Sequence, residues 1–213
     1  AIAISLSSRD FARRIAIKKD FASMVPAEGK GARFTTGALL LLLASGAGTL
    51  AQAVIDAGFE IVCVISDTPG AQVIERAKAA GINTKVITFR EPRTDWDLEL
   101  LKYVESVNPD LVVSVGFMRI LNSEFVTKFK VINSHPSLLP NFPGAHAVRD
   151  ALAAGVPQTG CTVHWVDQGV DTGKIIAQRT VEIAPNDDES SLHERIKIVE
   201  RQLIVKSIKS LES

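Results

Sequence analysis

LLLLLASGAGTLAQAVIDAGFEIVCVIS, residues 39 to 66, decides the fold class. Leu39 to Leu43 form an unbroken apolar run that breaks at Gly46 and Gly48. TLAQAVIDAG is amphipathic at the helical period and closes at Gly58, and EIVCVIS is again continuously apolar. Strands apolar on nearly every residue are buried on both faces, the condition of a parallel sheet covered by helices.

Downstream the alternation persists. GAQVIERAKAAG, TDWDLELLKYVESVN and NSEFVTKF read as helices, separated by the strands TKVITF, DLVVSVGF and KVINSH. After a proline-rich loop come a helix (HAVRDALAAG), two strands (GCTVHWV, KIIAQRTVEI) and a long helix from about Ser190. The last two strands alternate more strictly and are joined by DQGVDTG, which predicts an antiparallel addition late in the sheet. The expected fold is α/β: an open, mostly parallel, doubly wound (Rossmann-like) sheet with that late addition. Residues 1 to 36 have no sustained period. They are read as an N-terminal extension without assigned function, poorly ordered or derived from cloning or from sequence upstream of a start at Met24. Residues 37 to 213 form the single domain.

Bulk properties narrow the function. With 213 residues, 46% hydrophobic and 23% charged, the chain has the makings of one soluble domain. Lys plus Arg and Asp plus Glu number 24 each, so no bulk charge draws it to nucleic acid or an anionic membrane. Small-molecule partners fit that balance. Cys63 and Cys161 stand in apolar runs outside any metal-ligand spacing, as reduced thiols of a cytoplasmic protein would. ALLLLLA, residues 38 to 44, is far shorter than the roughly 20 residues that cross a bilayer.

Four motifs carry chemistry. In VINSHPSLLPNFPGAH, residues 131 to 146, Asn133 and His135 end a strand two residues apart and so project to one side. Pro136, Pro140 and Pro143 stiffen the loop that follows. ASGAG, residues 44 to 48, is a glycine turn opening a helix, a place suited to phosphate. It lacks the GxGxxG dinucleotide spacing, so no NAD is expected. GFMRIL, residues 116 to 121, ends the fourth strand where ligand crevices form, although Met118, Ile120 and Leu121 also read simply as core. DQGVDTGK brings Asp167 and Asp171 onto a turn; Asp167 reads as a solvated hairpin acid and Asp171 as the one to face His135. His164 reads as a hydrogen-bonded strand histidine as readily as a ligand-facing one, His146 as a helix opener and His193 as surface. No HxxxH or HxH spacing supports a metal site.

NSHPSLLPNFPGAH resembles the signature N-x-H-P-S-L-L-P-x-[FY]-P-G of the phosphoribosylglycinamide formyltransferase family, folate-dependent enzymes of purine synthesis. GFMRIL, GCTVHWV and GVDTG follow in that family's order and spacing, from about Gly37 to the end of the chain. The resemblance implies a formyltransferase fold and transfer of a formyl group from 10-formyltetrahydrofolate, as co-substrate, to the amine of 5-phosphoribosylglycinamide. It implies His135 as general acid, Asn133 as donor to the formyl oxygen, and Asp171 as the carboxylate that keeps His135 in its acid form. Folate would meet Arg93, Met118, Arg119, Ile120, Leu121, Asn133, Val170 and Asp171. The ribonucleotide would meet Gly46, Gly48, Thr49, Lys197 and Glu200, the last two on one helical face.

The family's phosphate loop reads G-x-G-S-N, whereas here Leu50 replaces the asparagine, and the chain stops soon after its last helix. Both are expected to bear on substrate contact or stability. The alternatives are another 10-formyltetrahydrofolate enzyme (a hydrolase, or an amino-group formyltransferase acting on methionyl-tRNA) and a silent folate- or phosphate-binding module. The tRNA enzyme would need a second domain and a basic excess. Homodimerisation is left open.

Overall fold

The computed structural model describes residues 34–35 and 37–212, so the extension read over residues 1 to 36 lies outside the described residues save Phe34 and Thr35. In chain order the elements are β1 (Leu40–Leu43), α1 (Thr49–Asp56), β2 (Ile61–Ser66), α2 (Gln72–Ala79), β3 (Thr84–Val86), α3 (Arg93–Val107) and β4 (Leu111–Ser114). There follow α4 (Ser123–Lys128), β5 (Val131–His135), α5 (Ala147–Ala153), β6 (Gln158–Trp165), β7 (Ile175–Glu182) and α6 (Glu189–Leu211). One seven-stranded sheet runs β3-β2-β1-β4-β5-β6-β7. β3 through β5 are parallel, and β6 and β7 are antiparallel, as the sequence pattern predicts.

The leucines of β1 explain why this strand is central. Leu40 and Leu42 enter a core with α1, α2 and α6, while Leu41 and Leu43 enter a second core with Trp96 of α3 and Phe125 of α4. Both sides of the strand are buried, so every residue must be apolar. β6 is likewise sealed from Thr159 to His164, whereas the edge strand β7 is largely exposed.

Two local expectations shift. TKVITF forms a ladder only to Val86; beyond it Ile87 and Phe89 donate to Ser66 and Asp67 at the end of β2. α3 begins at Arg93, one residue early, just after Pro92, whose missing N–H costs nothing at a helix start. Phe34 packs in the first core and donates its N–H to Leu211, joining the start of the described chain to the end of α6.

The winding reverses between β1 and β4. Loops leaving the carboxyl ends of these neighbours must diverge, which opens a crevice. The fold thereby brings the glycine turn, GFMRIL and the end of β5 to one edge.

Candidate active site

Strand alternation sorts the end of β5. Asn133 and His135 share one side, and Ser134 takes the opposite side, toward α6, where its hydroxyl donates to Glu200 Oε1 at 2.7 Å. The proline loop is pinned from outside. Thr162 Oγ1 of β6 donates to Ser137 O at 2.7 Å and accepts from Leu139 N at 3.1 Å. Gln178 of β7 reaches both Leu139 O (2.8 Å) and Thr162 Oγ1 (2.9 Å).

His135 is buried, with Nε2 2.9 Å from Phe142 O. A carbonyl only accepts, so Nε2 carries a proton there. Phe142 has φ 53, a left-handed backbone that a bulky residue rarely adopts. Nδ1 faces Asp171 Oδ2 at 3.4 Å, bearing out the expected pairing. Asp171 also accepts from Gly144 N at 2.8 Å and lies 3.5 Å from His164 Nε2. Burial pushes its carboxyl up, but the His164 hydrogen bond, the Gly144 N–H and the charges of both histidines outweigh it and hold the group below the usual aspartate value. Asp167, by contrast, is exposed and caps its own turn through Gly169 N and Thr172 Oγ1.

His164, left by sequence between a structural and a ligand-facing reading, is buried and hydrogen-bonded within the protein. Its Nδ1 is 2.8 Å from Trp165 O, a strand histidine's bond, and Nε2 is 3.3 Å from Asn133 Nδ2 as well as near Asp171. The hint lay in GCTVHWV: a histidine buried in a strand must be hydrogen-bonded. Its partner, directly opposite in the β5–β6 register, is set by tertiary pairing. His146 is the residue before α5, as read, but His193 is half-buried and its imidazole is pushed down by burial and by Lys197.

A cleft of about 230 Å³ opens beside Asp171, lined by Leu139, Pro140, Pro143, Val170 and Ile175. GFMRIL lies across the sheet's carboxyl edge. Phe117 stacks on Trp96 with centroids 6.3 Å apart, and Leu121 is 8% exposed, so these two are core. Met118 and Ile120 are 64% and 58% exposed, against the simple core reading. The reason is anchoring on both sides: Arg119 pairs with buried Asp67 at 2.6 Å and lies over Phe89, while Arg93 donates to Ile120 O. The loop is held by its polar and aromatic members, leaving the two apolar side chains outside.

The glycine turn touches this loop through Ser45, whose N–H donates to Gly116 O and whose hydroxyl accepts from Met118 N. Gly48 (φ 71) precedes α1 with no side-chain cap and no acid in the helix's first turn, so no side chain satisfies its first N–H groups. Arg76 donates to Ala47 O at 2.8 Å and adds positive charge beside the turn. Leu50 turns into the first core, which is the physical reason an apolar residue stands there. On α6, Glu200 is buried, whereas Lys197 is partly exposed and bonded to Glu194 at 2.7 Å. Among the described residues no group of three His, Cys, Asp or Glu could hold a metal, and no helix is long and apolar enough to cross a membrane.

Residues 39–208 match the formyl transferase family. The chain is 45% identical over 188 residues to the phosphoribosylglycinamide formyltransferase of Mycobacterium tuberculosis, covering 82% of this chain and 85% of that one. It is 44% identical over 167 residues to the Drosophila melanogaster trifunctional purine biosynthetic protein adenosine-3, covering 73% of this chain and 12% of that protein. Crystal structures agree in fold. Glycinamide ribonucleotide transformylase 1 of Symbiobacterium toebii superposes with a TM-score of 0.79 at 35% identity, over 84% of this chain and 91% of that one. The phosphoribosylglycinamide formyltransferase of Streptococcus pneumoniae gives 0.78 at 35%, over 82% and 98%.

Proposed function

The chain belongs to the formyl transferase family, from which we infer that it moves a formyl group onto the amine of 5-phosphoribosylglycinamide in purine synthesis. The donor we propose is 10-formyltetrahydrofolate. The observation that carries the mechanism is the placement of His135: Nε2 is committed to Phe142 O, so Nδ1 is the nitrogen left to face Asp171, which itself lines the cleft.

The substrate amine attacks the formyl carbon, the carbonyl oxygen becomes an oxyanion, and collapse breaks the bond to the folate nitrogen, which leaves with a proton. His135 supplies that oxyanion with a hydrogen bond and proton from Nδ1. The Asn133 amide lies 3.3 Å from His164 Nε2, which fixes its position, and its N–H groups are the donors for the formyl oxygen. Asp171 stabilises the positive charge on the acid form of His135 and takes up the proton released by the amine, through water. No covalent enzyme intermediate is needed, since the amine is the nucleophile and the protein supplies orientation.

The exposed Met118 and Ile120, with Arg93, Arg119 and Leu121 behind them, and the exposed Val170 lining the cleft, fit a flat heteroaromatic ring bound on the folate side. Gly46, Gly48 and Thr49 offer backbone donors to the ribonucleotide phosphate, with Lys197 and Glu200 at its other contacts. Small-molecule partners and a cytoplasmic place accord with the balanced charge. The test is release of tetrahydrofolate from 10-formyltetrahydrofolate by the purified chain. Release that requires the ribonucleotide is expected; release without it would make the protein a hydrolase, and none in either case would overturn the assignment.

A further inference from the structure

Ser134 stands between the two proposed catalytic residues of β5, yet points away from them. Its hydroxyl lies 2.7 Å from Glu200 Oε1, and both residues are buried. A carboxylate in an apolar core is costly unless donors satisfy it, and here the core around α6 is built from Leu192, Ile196, Leu203 and Ile204. Ser134 is the hydrogen-bond donor to Glu200 among the described residues. The second carboxylate oxygen accepts nothing from them. It is also absent from the sealed side-chain atoms without partners, which are Thr159 Oγ1 and Ser207 Oγ, so it keeps a path to solvent. One oxygen is held and the other is offered.

We propose that Ser134 is a positioning residue for the ribonucleotide: its hydroxyl holds the Glu200 carboxylate so that the second oxygen is presented to a hydroxyl or ammonium group of that substrate. This rests on the reading of Glu200 as a ribonucleotide contact. It assigns to one strand two tasks on its two faces. Asn133 and His135 address the formyl group, and Ser134, through α6, addresses the acceptor.

The surrounding charges bear on how the pair behaves. Burial pushes the Glu200 carboxyl up to about 7, against the Ser134 hydrogen bond and the positive charges of Lys197 and Arg201 on its own helix. Cys161 of β6 faces it as a neutral thiol, pushed up to about 12 by burial and then by Glu200, with Arg179 of β7 acting against that shift. α1 and α5 also pack on α6, and no charged group from either acts on Glu200. Removing the Ser134 donor takes away support for the charged form, so Glu200 moves further up and is more protonated at neutral pH.

The experiment is steady-state kinetics of Ser134→Ala against the parent enzyme across pH, varying the ribonucleotide at saturating formyl donor. Taking the mutant-to-parent ratio cancels the titration of the substrate amine. The KM ratio for the ribonucleotide is expected to be about tenfold near pH 7, the size of one hydrogen bond to a charged group. It should shrink as pH rises and Glu200 regains its charge, yet stay above one, because a carboxylate no longer held by Ser134 still meets the substrate less well. The ratio of kcat should stay within about twofold. A KM ratio near one throughout, a ratio that does not change with pH, or a loss confined to kcat would each overturn the proposal. Should the alanine variant not fold, Ser134→Cys, similar in shape and a much weaker donor, reports the same ratio. Glu200→Gln separates the two readings. If it raises KM while Ser134→Ala does not, the positioning role alone falls; if Glu200→Gln leaves KM unchanged, both fall.

Discussion

Two loops leave the carboxyl edge of the sheet, after β1 and after β5, and are held by opposite means. The glycine turn is fixed mainly by backbone: Ala44 N to Ile65 O, Ser45 N to Gly116 O and Val73 N to Gly46 O, with Ser45 Oγ and Arg76 Nε the side chains that join in. The proline loop is fixed by side chains from β6, β7 and the turn between them, through Thr162, Gln178 and Asp171. The difference follows from what each presents. An anion is met by N–H groups that any sequence supplies, provided the chain can take the turn. An imidazole must be aimed, and only fixed partners on both of its nitrogens and on its own loop do that.

Breaking the aimed loop at its reacting groups gives the largest expected effect. His135→Ala should lower kcat by about 10² to 10⁴, the usual worth of a positioned acid, and Asp171→Asn, which can still accept from Gly144 N, by about 10². Measured kcat near the parent's in either variant removes that residue from the mechanism.

The glycine turn should break at its backbone. A Cβ on Gly48 would sit 2.5 Å from Val73 Cβ at φ +71, whereas one on Gly46 would meet nothing within 4 Å. Gly48→Ala is expected to lose about 2 to 4 kcal/mol of stability from left-handed strain and overpacking. Gly46→Ala should unfold with the parent in urea; equal losses at both positions would contradict the turn described.

Thr162→Val sharpens the contrast from the other side. It keeps the shape and deletes a hydroxyl with three bonds to loop and strand, so about 1 to 3 kcal/mol of stability should go, together with part of kcat. If stability falls and kcat does not, the loop is held by packing rather than by these bonds.

The smallest effect concerns pH. Asp171 is held below its ordinary value when folded, so its contribution to stability is complete above the unfolded value, about 3.9, and is lost as pH falls through the lower folded one. Melting temperatures of the parent and Asp171→Asn should therefore differ at neutral pH and converge in acid. A constant gap would mean that the carboxylate's charge does not contribute.

The sequence alone determined the layers and the doubly wound class, because continuous apolar strands and amphipathic helices carry their periods locally: the run containing Leu40 to Leu43, bounded by glycines, reads as a doubly buried strand. It also identified Asn133, His135 and Asp171 as candidates, through strand alternation, proline stiffening and family spelling. Tertiary structure decided their company. His164 reaches Asn133 because β6 runs antiparallel to β5 in one register, and Ser134 reaches Glu200 because α6 crosses the far face, 66 residues on. Met118 and Ile120 face outward because Arg119, Arg93 and Phe117 hold their loop from behind. A period says which side a residue takes; only the packing of distant elements says what waits there.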